Sequence, residues 1–325
     1  MSPTPKSVLD ERVTEEAVRW AYRLVLGREP ENDEIVREHC LKTTSLLHLH
    51  EAFVGSAELR KRVARVAPPQ PTGLEPRLAI DKAETPELRQ RLLDHIARSW
   101  THLGETEPHW SVLTEDQFLS GTLDANLAAF HASGESNVQR FLATVARAGV
   151  ELDPNGHCVE LGCGVGRLTR WLAPHFARVT GIDVSPAHIT LARSHVARYP
   201  GHVDFLQLRR LDDLDRLPPA QAFFSFIVLQ HNPPPVMEAI LERIFNRLDS
   251  GAIAYFELPT YIPGYQFDVR EYLRQHESSV DMEIHALPQA AVYDIADRSG
   301  MRLLEALGET TRDLIVSHYF LMQKR

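Results

Sequence analysis

A glycine-rich run between an apolar stretch and a helix-like stretch constrains this chain more than any other feature. Within Val159–Thr169, Gly162, Gly164 and Gly166 follow the predicted strand His157–Leu161. Glycine lets the backbone turn sharply and approach a ligand closely, and a third glycine permits close packing of the helix that follows. The run therefore predicts a ligand-binding turn that opens an α/β unit.

Short apolar runs alternate with helix-like stretches beyond this turn. We predict strands over His157–Leu161, Val179–Ile182, Val203–Leu208, Phe223–Ile227, Ala252–Leu258, Arg302–Ala306 and Ser317–Gln323. Alternating strand and helix signals indicate right-handed βαβ units and a mostly parallel sheet. The chain ends in a strand pair where a dehydrogenase would continue a second mononucleotide-binding half. The predicted fold class is α/β, preceded by a small all-α segment.

An acidic residue ends the second predicted strand, where Asp183 precedes Val184, Ser185 and Pro186. A carboxylate at this position can accept hydrogen bonds from both hydroxyls of a ribose, a geometry that dinucleotide enzymes share. The alternative for Asp183 is a helix N-cap, but Ser185 followed by Pro186 already supplies the cap signal. We therefore predict that Asp183 binds a ribose, with Val184 beside it.

The G-x-G-x-G spacing with a leading glutamate resembles motif I of class I S-adenosylmethionine-dependent methyltransferases. The resemblance implies a Rossmann-like, seven-stranded methyltransferase sheet and S-adenosyl-L-methionine as cofactor, which leaves as S-adenosyl-L-homocysteine. It also implies that the glutamate and the turn hold the methionine end of the cofactor. The residues expected there are Glu160, Gly162, Cys163, Gly164, Gly166 and Arg167.

The same resemblance places the adenine under the loop that follows the third strand. Leu211 and Asp212 are the residues expected beside the adenine, and the alternative is an ordinary charged surface loop. Leu229, after the fourth predicted strand, is a further expected cofactor contact.

The segment Ile227–Pro235 follows the fourth predicted strand, at the sheet edge where open α/β sheets bind ligands. His231 suits a general base for a hydroxyl acceptor, because the unperturbed pKa of histidine is about 6.5. Its alternative is a histidine that caps the next helix or packs under the cofactor. Asn232 and the prolines after it also resemble the N-P-P-aromatic motif of amino-group methyltransferases, but Pro235 replaces the aromatic residue.

Six further residues are predicted near the methyl acceptor, and each has a packing alternative. They are Trp110, Gln230, Glu257, Tyr261, Tyr265 and His285. The glutamate, the histidine and the two tyrosines are rivals of His231 as base, and a tyrosine here can also stack on a sugar ring. No spacing typical of metal ligands accompanies them, so no metal is predicted.

The first 67 residues predict a helical accessory domain, because apolar residues recur at helical spacing from Ala17 to Val25 and Asn32 offers a second helix cap. A linker begins at Pro68, and residues 68–98 are predicted to hold this linker and a lead-in helix, before a catalytic domain over residues 99–325. Ala21–Pro30, with Phe53–Glu58, is similar to a phycobilisome-linker-like helical domain of unknown function. That resemblance implies a context of surface-polysaccharide biosynthesis, and the alternative is a helical appendage that docks a protein partner.

Leu229–Pro235, Leu258–Tyr261 and His285–Gln289 resemble methyltransferases of bacterial glycan gene clusters. The resemblance implies an O-methyltransferase that acts on a sugar hydroxyl in surface polysaccharide or glycan biosynthesis. Methylation of a small molecule or of an amine stays open, as does a non-catalytic cofactor-binding module in a glycan-assembly complex.

Charge and composition narrow the partners and the compartment. A net charge of −9, from 35 basic and 44 acidic residues, disfavours nucleic acid, whose binding depends on neutralised phosphates. No apolar run approaches the roughly 20 residues that span a bilayer. The start of the chain shows no secretory signal and its three cysteines lack metal-site spacing, so a cytoplasmic location is expected.

Overall fold

The computed structural model describes residues 11–56, 58–59, 73–81, 85–197, 202–276, 279–310 and 315–325. These residues fall into two compact units, one within residues 11–59 and one from residue 73 onward. Most of the predicted linker, residues 68–72, lies outside the described residues. No helix in the described ranges is both long and apolar enough to cross a membrane.

In the described part of the first unit, three short helices are each capped by a side chain. The helices are α1 (Glu15–Val25), α2 (Asp33–Lys42) and α3 (Leu46–Val54). Thr14, Asn32 and Ser45 accept hydrogen bonds from main-chain N–H groups in the first turn of their helices, which satisfies donors that a helix leaves unpaired. The predicted cap at Asn32 is thereby confirmed. Tyr22 and Phe53 meet edge to face in the small core.

The second unit is built on a seven-stranded sheet, and a two-stranded parallel pair stands apart from it. The strands are β1 (Ala79–Ile80), β2 (His157–Leu161), β3 (Arg178–Asp183), β4 (His202–Gln207), β5 (Ala220–Ser225), β6 (Leu248–Tyr261), β7 (Gln266–Phe267), β8 (Met301–Thr310) and β9 (Val316–Lys324). The order in the sheet is β4-β3-β2-β5-β6-β9-β8, and β1 pairs with β7. Neighbours from β4 to β6 are parallel, whereas β9 is antiparallel to both β6 and β8. The predicted α/β class and the terminal strand pair are confirmed.

Helices cover both faces of this sheet. They are α4 (Pro86–Thr106), α5 (Leu123–Arg147), α6 (Thr169–Leu172), α7 (Pro186–Val196), α8 (Pro234–Arg247), α9 (Val269–His276) and α10 (Gln289–Arg298). Consecutive residues of β5 point to opposite faces of the sheet. Phe223 packs in the core that includes α4 and α8, and Phe224 packs in the core that includes α5. Both phenylalanines are fully buried. A strand covered on both faces reads as a continuous apolar run, which is why β5 is evident in the sequence.

Several boundaries differ from the sequence-based prediction, and two of the differences bear on the site. Helix α4 is continuous to Thr106 and belongs to the same compact unit as the sheet, so a domain boundary at residue 98 would cut through it. Strand β5 ends at Ser225 rather than at Ile227, because Ile227 has a φ of 55° and cannot continue a strand. This early end puts Ile227 and the segment after it at the carboxyl edge of the sheet.

Candidate active site

A cavity of about 340 Å³ lies at the carboxyl ends of β2, β3 and β5. Its wall combines the glycine turn after β2, the end of β3, the segment after β5, and residues of α4 and α5. The wall residues that the sequence predicted as cofactor contacts are Glu160, Gly162, Cys163, Gly164, Arg167, Asp183 and Val184. The predicted crevice therefore exists, at the edge where open parallel sheets bind ligands.

The turn after β2 needs glycine for both conformation and space. Gly162 has a φ of 70°, and a Cβ atom there would lie 2.3 Å from a methyl group of Val228. The N–H groups of Gly162 and Cys163 both donate to the carbonyl oxygen of Ile182, at 2.7 and 3.0 Å, so the turn is tied to β3. Gly166 lies outside the cavity wall, and its missing side chain makes room for Val196 of α7. This matches the close helix packing expected of the third glycine.

Asp183 links the turn to the end of β3. Its Oδ2 accepts a hydrogen bond from the N–H of Gly164 at 2.9 Å, and its Oδ1 accepts one from Ser185 at 2.9 Å. The side chain of Ser185 caps α7 by accepting from the N–H of His188. Asp183 is thus a cavity-wall carboxylate fixed at both oxygens, and the remaining lone pairs of those oxygens are left for a ligand.

Glu160 and Arg167 are ionisable residues of opposite charge type, and both lie in the cavity wall and are buried. Burial raises the pKa of Glu160 to about 7, although Thr169 donates a hydrogen bond to its Oε2 at 2.5 Å. Burial lowers the pKa of Arg167 to about 10, with Glu160 acting in the opposite direction. The Nη1 of Arg167 donates to Ser133 and Asn137, whereas its Nε has no hydrogen-bond partner among the described residues. A zwitterionic ligand group would relieve both buried charges.

Three predicted cofactor contacts lie outside this wall, in addition to Gly166. Leu211 and Asp212 border a separate groove, because a 3₁₀ helix at Leu211–Arg216 turns Leu211 into the core and leaves Asp212 paired with Arg210. Leu229 is fully buried in the core. The wall residue that follows β4 is instead Leu208. The structure therefore places Leu211 and Asp212 outside this cavity wall, whereas the sequence predicted both beside the adenine.

His231 lies in the cavity wall and is held in one orientation. Its Nδ1 is 2.8 Å from the carbonyl oxygen of Glu283, which can only accept, so Nδ1 carries the proton. The unprotonated Nε2 then accepts a hydrogen bond from the side-chain amide N–H of Gln230 at 3.2 Å. Trp100 meets the ring edge to face, at a centroid distance of 4.9 Å. Burial lowers the pKa of His231 to about 4, so the imidazole is neutral at neutral pH.

None of the six residues predicted near the acceptor forms the cavity wall. Gln230 adjoins it through His231, whereas Tyr265 and His285 form a hydrogen bond of 2.8 Å behind His231. Glu257 is buried on β6, where burial raises its pKa to about 7. Tyr261 pairs with Val316 at the end of β6, and Trp110 is half-buried.

Several wall residues have no local motif that reveals them. Trp100 comes from α4, Val112 and Leu113 from the loop after it, and Ser133 and Asn137 from α5. The only signal in the sequence is that aromatic and polar residues interrupt otherwise ordinary amphipathic helices. Among the described residues, no group of three or more His, Cys, Asp or Glu side chains is arranged to hold a metal ion.

Residues 159–254 match the profile of a protein family described as "Methyltransferase domain". The chain is 29% identical over 165 residues to a carboxy-S-adenosyl-L-methionine synthase of Chromohalobacter salexigens, covering 46% of this chain and 60% of that protein. It is 31% identical over 83 residues to a ubiquinone biosynthesis O-methyltransferase of Coxiella burnetii, covering 24% and 34%. The matches thus span less than two-thirds of the length of these relatives.

Solved structures were also compared with the chain. A magnesium protoporphyrin IX methyltransferase from Synechocystis, crystallised with S-adenosylhomocysteine, aligns with 71% of this chain and 98% of its own, at 17% identity and a TM-score of 0.48. By its own strand order and glycine turn, the sheet unit has the Rossmann-like fold of class I methyltransferases. Within it, residues 159–254 are the part of the chain that is similar to the methyltransferase-domain family.

Proposed function

We propose that this protein is an S-adenosylmethionine-dependent O-methyltransferase. The observation that carries the proposal is the 2.9 Å hydrogen bond between the N–H of Gly164 and Oδ2 of Asp183. It joins the glycine turn to Asp183, the proposed ribose acceptor, in one cavity wall that also includes the neutral imidazole of His231, and this supports the proposal. The names of the relatives, which include a synthase of an S-adenosylmethionine derivative and an O-methyltransferase, support the same class.

The residues of the cavity fit this cofactor group by group. Asp183 would accept from the ribose hydroxyls, Glu160 would face the ammonium of the methionine moiety, and Arg167 would face its carboxylate. The unpartnered Nε of Arg167 and the raised pKa of Glu160 are what such a zwitterion would satisfy. When bound, the cofactor supplies an electrophilic methyl group on its sulfonium.

His231 is the proposed general base for the acceptor hydroxyl. Its protonated Nδ1 is held by a carbonyl, so Nε2 is the atom that takes the hydroxyl proton. A positioned base of this kind contributes about 10²–10⁴-fold to a rate. Asn232 is also in the cavity wall, but its side-chain N–H donates to the carbonyl of Val228 at 2.9 Å. Asn232 therefore stabilises the turn after β5. This favours the hydroxyl over the amine acceptor.

Two acceptor classes follow from different observations. The resemblance to methyltransferases of glycan gene clusters favours a sugar hydroxyl as the methyl acceptor. The wall beside His231 is largely apolar, with Trp100, Leu113, Phe226 and Ile227, and it favours a small hydroxylated acceptor with an apolar or aromatic body. We also keep the proposal that the first unit docks a protein partner, since Trp20 and Leu24 of α1 are exposed there.

The function is tested with purified protein, S-adenosylmethionine and a panel of sugar and phenolic acceptors. We expect transfer of label to one class, and we expect His231→Ala to bind S-adenosylhomocysteine normally but to lose about 10²–10⁴-fold in kcat. His202→Ala, on the exposed end of β4, is the matched control and should keep wild-type turnover. A His231→Ala enzyme with a near wild-type rate would place the base elsewhere, and cofactor binding without any transfer would favour a non-catalytic module.

A further inference from the structure

A segment without regular secondary structure, residues 279–288, runs behind the turn that carries His231. Two hydrogen bonds join them: His285 donates its main-chain N–H to the carbonyl of Gln230 at 2.7 Å, and the carbonyl of Glu283 accepts from Nδ1 of His231 at 2.8 Å. A third bond, from Leu287 to Pro259 at 2.9 Å, ties the segment to β6. Because the segment has no regular secondary structure, further contacts are needed to keep these three hydrogen bonds in place.

The side chain of Glu283 supplies that hold. Its Oε2 accepts from the hydroxyl of Tyr272 at 2.6 Å and lies 3.0 Å from Nε2 of His285. Its Oε1 lies within ion-pair distance of His276, at 3.3 Å, and of His95, at 3.5 Å. One carboxylate therefore connects the segment to α4 and α9.

The charge on this carboxylate is secured by its neighbours. Burial alone would raise the pKa of Glu283, but the groups of His285, His95 and Tyr272 around it hold the pKa well below its usual range. An ionised carboxylate that accepts hydrogen bonds from Tyr272 and His285 is fixed more firmly than a neutral group, since charged hydrogen bonds are the stronger ones. The backbone carbonyl of the same residue is thereby fixed as well.

We propose that Glu283 is a positioning residue for His231: its anchored carboxylate fixes its own carbonyl oxygen, which holds the proton of His231 on Nδ1 and leaves Nε2 unprotonated, with the Gln230 amide as its hydrogen-bond donor. The inference rests on the proposed role of His231 as base. Glu283 does not border the cavity and acts only through the orientation and tautomer of the imidazole. Holding the correct tautomer is a known way for a carboxyl or carbonyl group to support a histidine base.

The first test measures the imidazole itself. Nitrogen NMR of the wild-type full chain, with the His231 signals assigned by their absence in His231→Ala, should show one tautomer with the proton on Nδ1. Glu283→Gln should give a mixture of tautomers, whereas Glu271→Gln, an exposed acid of α9, should leave the spectrum unchanged. A wild-type tautomer in Glu283→Gln would overturn the proposal. If Glu283→Gln does not fold, Tyr272→Phe removes one donor and the same criterion applies to it.

The second test separates positioning from a merely structural role. Glu283→Gln should lower kcat by about 10- to 100-fold while the Kd of S-adenosylhomocysteine stays unchanged. In a His231→Ala background, Glu283→Gln should have no further effect on kcat, because the imidazole through which Glu283 acts is absent. An equal loss in both backgrounds would overturn the proposal. Should no acceptor be methylated while the tautomer still shifts in Glu283→Gln, the proposed function fails and the positioning role stands.

Discussion

Burial sets the protonation states of the residues that matter most in the cavity. It raises the pKa of Glu160 to about 7 and lowers that of His231 to about 4. Both groups are pushed toward their neutral forms, as expected when a charged form loses water. The neutral form suits His231 as a proton acceptor, whereas Glu160 is only about half ionised at pH 7 and a ligand cation beside it would complete the ionisation.

The pKa of Glu160 predicts that cofactor affinity depends on pH. Because the ammonium of the ligand favours the ionised carboxylate, binding should release a proton below pH 7, and affinity should fall by up to about tenfold per pH unit on going lower. Calorimetric titration of S-adenosylhomocysteine between pH 5.5 and 8.5, in buffers of different ionisation enthalpy, measures both effects. Glu160→Gln should flatten the dependence. A wild-type affinity that is constant over this range would contradict the assignment.

Ile227 carries the only positive φ found for a non-glycine residue in the described part of the chain, 55°. A β-branched residue in this conformation is strained by about 1–2 kcal/mol. The side chain of Ile227 is 45% exposed and borders the cavity, so little burial is lost when it is removed.

Ile227→Gly should therefore be more stable than Ile227→Ala, by about 1 kcal/mol, although glycine is normally the less stable of the two. The alanine variant is the matched control, because it removes nearly the same side chain and keeps the strain. Urea unfolding of both proteins measures the difference. An alanine variant more stable than the glycine variant would show that Ile227 is not strained.

At the scale of elements, the cavity depends on how closely α4 approaches α7. Gly104 makes this approach, since a Cβ atom there would lie 2.5 Å from Oγ of Ser185 and 2.8 Å from Nδ1 of His188. The side chain of Ser185 caps α7 by accepting a hydrogen bond from the main-chain N–H of His188, and His188 borders the cavity. The contact therefore transmits the position of α4 to the cofactor site.

Gly104→Ala should lower Tm and weaken S-adenosylhomocysteine binding, even though alanine is the better helix former by about 1 kcal/mol. The added methyl group displaces Ser185 and His188, and with them the start of α7. Gly121→Ala is the control, because no atom lies within 4 Å of its added Cβ. Thermal unfolding with and without ligand measures both effects. An unchanged or raised Tm for Gly104→Ala would contradict the close contact.

The sequence predicted the helices and strands better than it predicted the residues that form the cavity wall. Strand β2 was placed to the residue, because a buried strand followed by glycine leaves little freedom. The end of β5 was misplaced, since no propensity predicts an isoleucine with positive φ. Leu211 and Asp212 were expected at the site from the family resemblance, but the direction of their loop depends on which leucine the core accepts, and the core holds Leu211. Trp100 was missed because its place beside His231 depends on tertiary packing.

At the scale of the molecule, buried histidines couple the fold to pH. The rings of His109, His131 and His195 lie 4.9–5.4 Å apart and join the loop after α4 to α5 and α7. Burial lowers the pKa values of His109 and His131 to about 4 from 6.5. Both are neutral in the folded protein at pH values where the unfolded chain takes up protons.

Stability contributed by these two histidines is therefore present above pH 6.5 and lost as pH falls toward 4, by at most about 1.4 kcal/mol per pH unit for each. Glu160 and Glu257, with pKa values raised to about 7 from 4.5, act oppositely in that window. The double variant His109→Gln, His131→Gln should lose less stability than the wild type between pH 7 and 5, as measured by urea midpoints. A parallel loss in both proteins would exclude these histidines as the source.

The shared crevice of the glycine turn and Asp183 is tested most directly by calorimetric binding of S-adenosylhomocysteine. Asp183→Asn removes the ribose acceptor, and Asp212→Asn changes a carboxylate that the structure places outside the cavity. The wild type and Asp212→Asn should bind equally, whereas Asp183→Asn should bind about 10- to 100-fold more weakly, the loss of hydrogen bonds to a charged group. No binding by the wild type, or equal binding by Asp183→Asn, would contradict the cofactor site.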